Sequence, residues 1–276
     1  MELYARVAYA NSKQLTLSYS TSFGISSRFF SKQIQPHIYA IYGLVRIADE
    51  IFDTYKGPDA AQLLDELEST TYTSIKSGYS TNPIVHAFAL TAKQYGIDKT
   101  LIAPFFHSMR LDLTPQKYSP KDYEAYIHGS AEVVGLMCLR VFCDGDTKQY
   151  DQLRDGAAAL GAAYQKVNFL RDMAADYKEL GRLYFPDVTF DNFDDAAKQV
   201  IIDDIKHDFT NALVALQQLP ASSRKATMMS YVYYTDLLKK LESTPVAVIK
   251  TTRVRLPSQR KLVLMAKTMA TGGHAV

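Results

Sequence analysis

Arg46-Ile47-Ala48-Asp49-Glu50-Ile51-Phe52-Asp53 is the stretch on which the reading of this chain turns. Asp49 and Asp53 are four residues apart, so on a helix their carboxylates share a face, one turn from each other. The segment from Ile38 to Phe52 is otherwise apolar, with Ile38, Ile41, Tyr42, Val45 and Ala48 on one helical face and Pro36 where a helix start tolerates proline. Two like charges in that setting repel unless something positive lies between them. A hard divalent cation such as Mg²⁺ is the natural bridge, since it takes one or two carboxylates and completes its shell with water and phosphate oxygens. A solvated surface pair shows the same spacing, so this stretch alone leaves both readings open.

A second stretch repeats the device. In Asn168-Phe169-Leu170-Arg171-Asp172-Met173-Ala174-Ala175-Asp176, the side chains of Asn168, Asp172 and Asp176 form one stripe over two turns. Gly161-Ala162-Ala163, just upstream, is small enough to let another helix approach closely. Two acidic stripes facing each other across a helical bundle make a cage for several cations, a known use of bundle interiors. The charge around them points to a polyanionic ligand, and diphosphate fits. Arg46 precedes Asp49 by three residues and Arg171 precedes Asp172 directly, and guanidinium pairs bidentately with phosphate oxygens. Arg182 with Tyr184, and Thr251-Thr252-Arg253-Val254-Arg255, add basic groups beyond the second stripe.

The rest of the chain reads as helix with little strand alternation. The pattern predicts helices over Ala60–Ser77, closed by Gly78, and Ile84–Tyr95, closed by Gly96. Others follow at Lys99–Leu113, Lys121–Phe142, Gln149–Leu180, Ala196–Gln218 and Ser222–Ser243, with Pro115, Pro120, Pro186, Pro220, Pro245 and Pro257 between them. No linker or repeat interrupts residues 1–276, so one all-α domain is expected, with a frayed tail at 271–276. Net charge is +2, from 31 basic and 29 acidic residues, which gives no global field for nucleic acid. Cys138 and Cys143 do not face each other on a helix and read as small core residues of a reducing compartment. No apolar run is long enough to span a bilayer, and the first residues lack a signal-peptide pattern, so a cytoplasmic protein is expected. Nineteen Tyr and 13 Phe, with no Trp, suit either a core or an apolar cavity lining.

Taken together, these residues resemble the phytoene/squalene synthase family, the head-to-head prenyl synthases. The resemblance covers nearly the whole chain. It is carried by Tyr39 to Asp53, by Tyr164-Gln165-Lys166-Val167-Asn168 running on to Asp176, and by Gly181-Arg182-Leu183-Tyr184-Phe185-Pro186. Ser20-Thr21-Ser22-Phe23 is similar to the family's N-terminal turn, and Tyr126 with Ala131 to Gly135 to its middle helix.

The resemblance implies an isoprenoid-synthase-type helical bundle around a central apolar cavity. It implies Mg²⁺, with Mn²⁺ as a substitute, held by Asp49, Asp53, Asn168, Asp172 and Asp176, and no nicotinamide cofactor. Ser22, Arg46, Gln165, Arg171, Arg182, Tyr184, Tyr234 and Arg253 would bind substrate with Phe23 against the prenyl chain, and Tyr42 and Tyr126 would join the aspartates in catalysis. The implied reaction condenses two geranylgeranyl diphosphates to phytoene. The alternatives are a C15-using relative and a family member without catalysis. Greasy substrates imply transient contact with a membrane, and the oligomeric state stays open. Two departures stand out. Tyr19 and Thr21 occupy places where the family often has His and Lys, and Glu132 replaces a glycine of the middle helix.

Overall fold

The computed structural model describes residues 2–55, 57–113, 118–181 and 183–270, and among these every regular element is helical. In chain order they are α1 (Leu3–Tyr19), α2 (Thr21–Ser26), α3 (Gln35–Glu50), α4 (Ala60–Ser77), α5 (Pro83–Tyr95), α6 (Lys99–Asp112) and α7 (Pro120–Ile127). There follow α8 (Val133–Phe142), α9 (Thr147–Leu180), α10 (Asp195–Gln217), α11 (Ala221–Ser243), α12 (Val246–Ile249) and α13 (Ser258–Ala270).

Local chemistry sets the boundaries. Asn82 accepts from the backbone N–H groups of Ile84 and Val85 to start α5, and Gly96, at φ 67°, closes it in the left-handed region that glycine enters without strain. Ser119 and Asp122 form a reciprocal capping box at α7, while the Asp146 and Asp194 carboxylates cap α9 and α10. The expected helices are found to within a few residues at each end, with one exception. The run expected over Lys121–Phe142 is α7 and α8 joined by a π turn, His128–Glu132. A second π turn, Ile51–Tyr55, follows α3, so Asp53 steps off the ideal α-helical spacing from Asp49.

Two packed halves enclose a space between them. In one, α1, α3 and α5 pack together through Ala8, Tyr9, Ala40 and Ala87, and Ile38, Ile41, Phe88 and Phe105 of α3, α5 and α6 belong to its larger core. In the other, α9 packs on α10 and α11 around Val167, Leu170, Ile202, Ile205 and Leu238. The halves meet where α9 lies against α8 and its π turn. Gly161 permits this contact, since a methyl group built there would sit 2.6 Å from the carbonyl oxygen of Ala131.

Four elements went unread in the sequence. The buried face of α1 is Ala5, Ala8, Tyr9, Ser12 and Thr16, mostly small or hydroxylated residues that make no hydropathy signal. The short α2 and α12 have too few residues for periodicity, and α13 interleaves Arg260, Lys261 and Lys267 with its apolar residues in sequence. No helix among the described residues is long and apolar enough to cross a membrane. Arg182, Pro115, the tail at 271–276 and the side chains of Thr21 and Ser22 lie outside the described portion.

Candidate active site

The space between the halves has two connected compartments. The larger, of about 770 Å³, runs along α9 from Leu153 through Gly156, Leu160, Tyr164 and Asn168 to Arg171. Those residues span about 27 Å of helix at 1.5 Å per residue. Its Leu153 end is apolar, with Phe30 and Phe142 stacked at 5.4 Å between ring centres. Its Arg171 end is polar, lined by Tyr42, Arg46, Gln165, Tyr234 and Arg253. Cys138 lines this cavity, whereas Cys143 lies in the core, and neither is in a disulfide. Burial pushes the Cys138 thiol up to about 12, so it stays protonated and behaves as an apolar wall residue.

The smaller compartment, of about 250 Å³, holds the acids. Asp49 and Asp53 line it from the α3 side and Asp172 and Asp176 from α9, with Asp112, Tyr126 and Tyr184 completing the wall. Val45, Ser130, Gln165 and Asn168 line both compartments and form the neck between them. The sequence therefore brought both acidic stripes to one place.

On the α3 side, Arg46 serves three acids: it bonds Glu50, donates to Asp53 Oδ2 at 3.2 Å, and lies 3.6 Å from Asp49. Its guanidinium also sits 4.6 Å over the Tyr19 ring, so Tyr19 is a cation–π platform for Arg46. Burial raises the Asp49 carboxyl to about 8. Arg46 opposes the shift, while the charges of Asp53, Asp112 and Glu50 add to it.

On the α9 side, Asp172 takes both cations. Arg171 donates to it in a fork at 2.9 and 2.5 Å, and Arg253 Nε lies 2.6 Å away. Asp176 is raised to about 7 by burial and by Asp172, against the pull of Arg171 and Arg253, and it also feels the charge of Asp53 across the compartment. Tyr234 donates to Asn168 Oδ1 at 3.3 Å and stacks on Tyr164 at 4.1 Å. Tyr42 stacks on Phe23 at 5.3 Å, and burial raises its hydroxyl. Tyr184 lies flat on Phe169 at 4.0 Å. Gln165 reaches Ser130 Oγ at 3.4 Å. Glu132 faces His128 at 2.8 Å.

Asp112 is the residue that sequence reasoning missed. It ends α6, is buried, and accepts a 2.8 Å hydrogen bond from Tyr126. It has no acidic partner at helical spacing, so nothing local marks it. Tyr126 is itself buried, and burial together with the Asp112 charge holds its hydroxyl well above the usual phenol range.

The donors fit a hard divalent cation. They are all oxygen, and burial with neighbouring carboxylates raises the affinity of Asp49 and Asp176 for a proton, a burden that a bound cation would relieve. Among the described residues no three His, Cys, Asp or Glu side chains converge tightly enough to enclose one ion unaided. Carboxylates spread along opposite walls suit Mg²⁺, which binds through one or two carboxylates plus the phosphates of its substrate.

The family model described as Squalene/phytoene synthase matches residues 17–260. The chain is 27% identical to the 15-cis-phytoene synthase of Synechococcus elongatus, over 95% of this chain and 92% of that one. It is 25% identical to the 4,4'-diapophytoene synthase of Staphylococcus haemolyticus, over 72% of this chain and 68% of that one. A solved dehydrosqualene synthase shares the fold at a TM-score of 0.79 and 18% identity, covering 97% of both chains.

Proposed function

This chain belongs to the squalene/phytoene synthase family, and we propose that it condenses two geranylgeranyl diphosphates head to head to phytoene, through a cyclopropylcarbinyl diphosphate. The observation that carries this reading is the junction of the two compartments, which places a wall of four aspartates at one end of a long apolar cavity. A cavity of about 770 Å³ lies toward the upper part of the range of ligand sites, about 300–1,000 Å³.

In this reading Asp49, Asp53, Asn168, Asp172 and Asp176 hold Mg²⁺. When bound, the cations supply Lewis-acid stabilisation to the departing diphosphate. Arg46, Arg171 and Arg253, which pair with the carboxylates here, would be placed to donate to phosphate oxygens of a bound diphosphate. Asn168 and Gln165, at the neck, orient the diphosphate end of the substrate while the prenyl chain lies along α9 toward Phe30 and Phe142. Phe23, Tyr42, Tyr164 and Tyr234 exclude water from the cation that forms when the allylic C–O bond breaks, and their ring faces stabilise positive charge. Tyr126 keeps its proton through burial and Asp112, and so serves as a hydrogen-bond donor rather than a base.

The C20 substrate is favoured by the relative named 15-cis-phytoene synthase, and a C15 substrate by the one named 4,4'-diapophytoene synthase. A family member without catalysis would have no use for the four aspartates. Incubation with geranylgeranyl or farnesyl diphosphate, with Mg²⁺ and without NADPH, separates the readings. A C40 hydrocarbon, lost in Asp49→Ala and Asp172→Ala, supports the proposal; turnover of the C15 substrate alone replaces it with the second reading; silence with both overturns catalysis.

A further inference from the structure

Lys166 lies inside the second acidic stretch, between Gln165 and Asn168, yet takes no part in the site described above. Lysine is almost never buried without a partner, and here the residue is only 9% exposed. Its ammonium donates to Asp204 Oδ2 at 2.6 Å and lies 2.8 Å from Asp208 Oδ2. Both acids belong to α10, where Asp208 is half-buried and Asp204 exposed. The desolvation of a buried ion pair can exceed the attraction it gains, so the cluster is weak evidence for stability. What it can supply is geometry, because it is satisfied in one register of the two helices and not in the neighbouring ones.

Elsewhere α9 and α10 meet through small and apolar residues. Gly156 lies so close to α10 that a methyl group built on it would sit 2.3 Å from Ala215 Cβ. Val167 and Leu170 share a core with Ile202, Ile205 and Phe209. Apolar contact is non-directional and lets one helix slide or turn on its neighbour. Successive helical residues turn by about 100°, so Lys166 points aside from Gln165, while Gln165, Asn168, Asp172 and Asp176 face the acid compartment. A rotation of α9 that drew Asn168 and Asp172 out of the wall would also part Lys166 from both acids.

We propose that Lys166 is a positioning residue, whose bonds to Asp204 and Asp208 fix the rotation and register of α9 on α10. They thereby hold Gln165, Asn168, Asp172 and Asp176 at the spacing from Asp49 and Asp53 that cations and a diphosphate require. Lys166 touches neither ligand and acts through the helix that carries the wall. The inference deepens the condensation reading and rests on its cation wall. Its leverage is large because a misplacement of about 1 Å can lower turnover by about 10²-fold, even when the altered residue is remote from the reacting atoms.

Titration of the whole chain with Mg²⁺ in the presence of inorganic diphosphate tests this, with binding read as a rise in Tm that needs no turnover. In Lys166→Met/Asp208→Leu the buried pair gives way to apolar side chains of similar size, an exchange that folds tolerate. This variant is expected to keep its metal-free Tm, to need at least about tenfold more Mg²⁺ for the half-maximal rise, and to lose about 10²-fold in kcat. Asp208→Asn, which leaves Lys166 paired with Asp204, should move the Mg²⁺ requirement the same way by less, and reads the proposal should the double variant not fold. Lys206→Met, which removes an exposed ion pair with Glu242 at 2.6 Å, should change neither quantity. A Mg²⁺ requirement equal to the parent's in the folded variants, whatever their Tm, makes the cluster a packing feature and overturns the proposal alone. A parent with no rise in Tm overturns the cation wall and this inference with it.

Discussion

The two acidic stripes look alike in sequence but are supported differently. On α3, a single arginine is shared among Asp49, Glu50 and Asp53, the helix ends between the two aspartates, and Asp49 is left with the larger burden of burial. On α9, the helix runs on past both aspartates, two arginines converge on Asp172, and the burden falls on Asp176. One side holds more negative charge than its local cations balance, while the other concentrates its cations on one acid. A diphosphate with cations needs both: unbalanced carboxylates to take metal, and guanidinium groups already at the site to take phosphate oxygens.

If both walls hold the same cations, Asp49→Asn and Asp172→Asn should each lower kcat by about 10²–10³-fold, the order seen when a charge-stabilising group is removed from an active site. Steady-state turnover at saturating Mg²⁺ checks this. A mild effect at one wall with a severe effect at the other would show that a single stripe carries the chemistry.

The stripes were legible because each is local in sequence: Asn168, Asp172 and Asp176 lie within one helix, and Asp53 follows Asp49 across the end of α3 into the π turn without leaving the acid compartment. Gly161 was legible for the same reason, as a small residue on a face that had to approach a neighbour. What was not legible is what depends on contact across the fold. The π turns that displace Asp53 and bend the middle helix carry no local pattern. Asp112 becomes a wall of the acid compartment only because α6 ends beside Tyr126. The pairing of Arg253 with Asp172 spans 81 residues. The α1 helix was hidden because it buries alanine and hydroxyl side chains, which hydropathy does not count.

The halves also differ in their response to acid. His37, near the start of α3, is buried among Thr91 Oγ1 at 2.9 Å, Tyr9 Oη at 3.2 Å and the edge of Tyr95. Burial pulls its imidazole down to about 4, with the charge of Asp144 opposing. The folded value lies below the unfolded one, about 6.5, so the unfolded chain takes up the proton first. Stability is then fully present above about pH 6.5 and is lost as pH falls toward about 4, by about 3 kcal/mol in all. Urea midpoints measured between those limits should fall accordingly, and His37→Gln should flatten the trend. An unchanged slope in that variant would move the acid sensitivity away from the α3 half.

Contact between the halves gives a smaller effect. Gly161→Ala forces a methyl group against the Ala131 carbonyl, and overpacking of this kind costs about 1–3 kcal/mol. The same change at Gly145, where nothing lies within 4 Å of the added atom, tests backbone strain alone, because its φ is 88°. If Gly161→Ala leaves the urea midpoint unchanged, the halves are not held at van der Waals contact there.

The smallest effect is the one that separates the stripes most sharply. The Asp49 carboxyl is raised to about 8, so in the absence of metal the folded state keeps a proton that the unfolded chain releases above about pH 4, and stability falls as pH rises from there toward 8. Asn at this position carries no such burden, and in chelator at neutral pH Asp49→Asn should raise stability by about 1 kcal/mol or more, about 2–4 °C in Tm. Asp172 is the opposite case: its removal strands the forks of Arg171 and Arg253, and Asp172→Asn should lower Tm by a similar amount. Opposite signs from the same chemical substitution would show that α3 holds an acid the fold resists and α9 an acid the fold requires. Shifts of the same sign would mean that the arginines are free to rearrange and that the asymmetry between the walls does not govern stability.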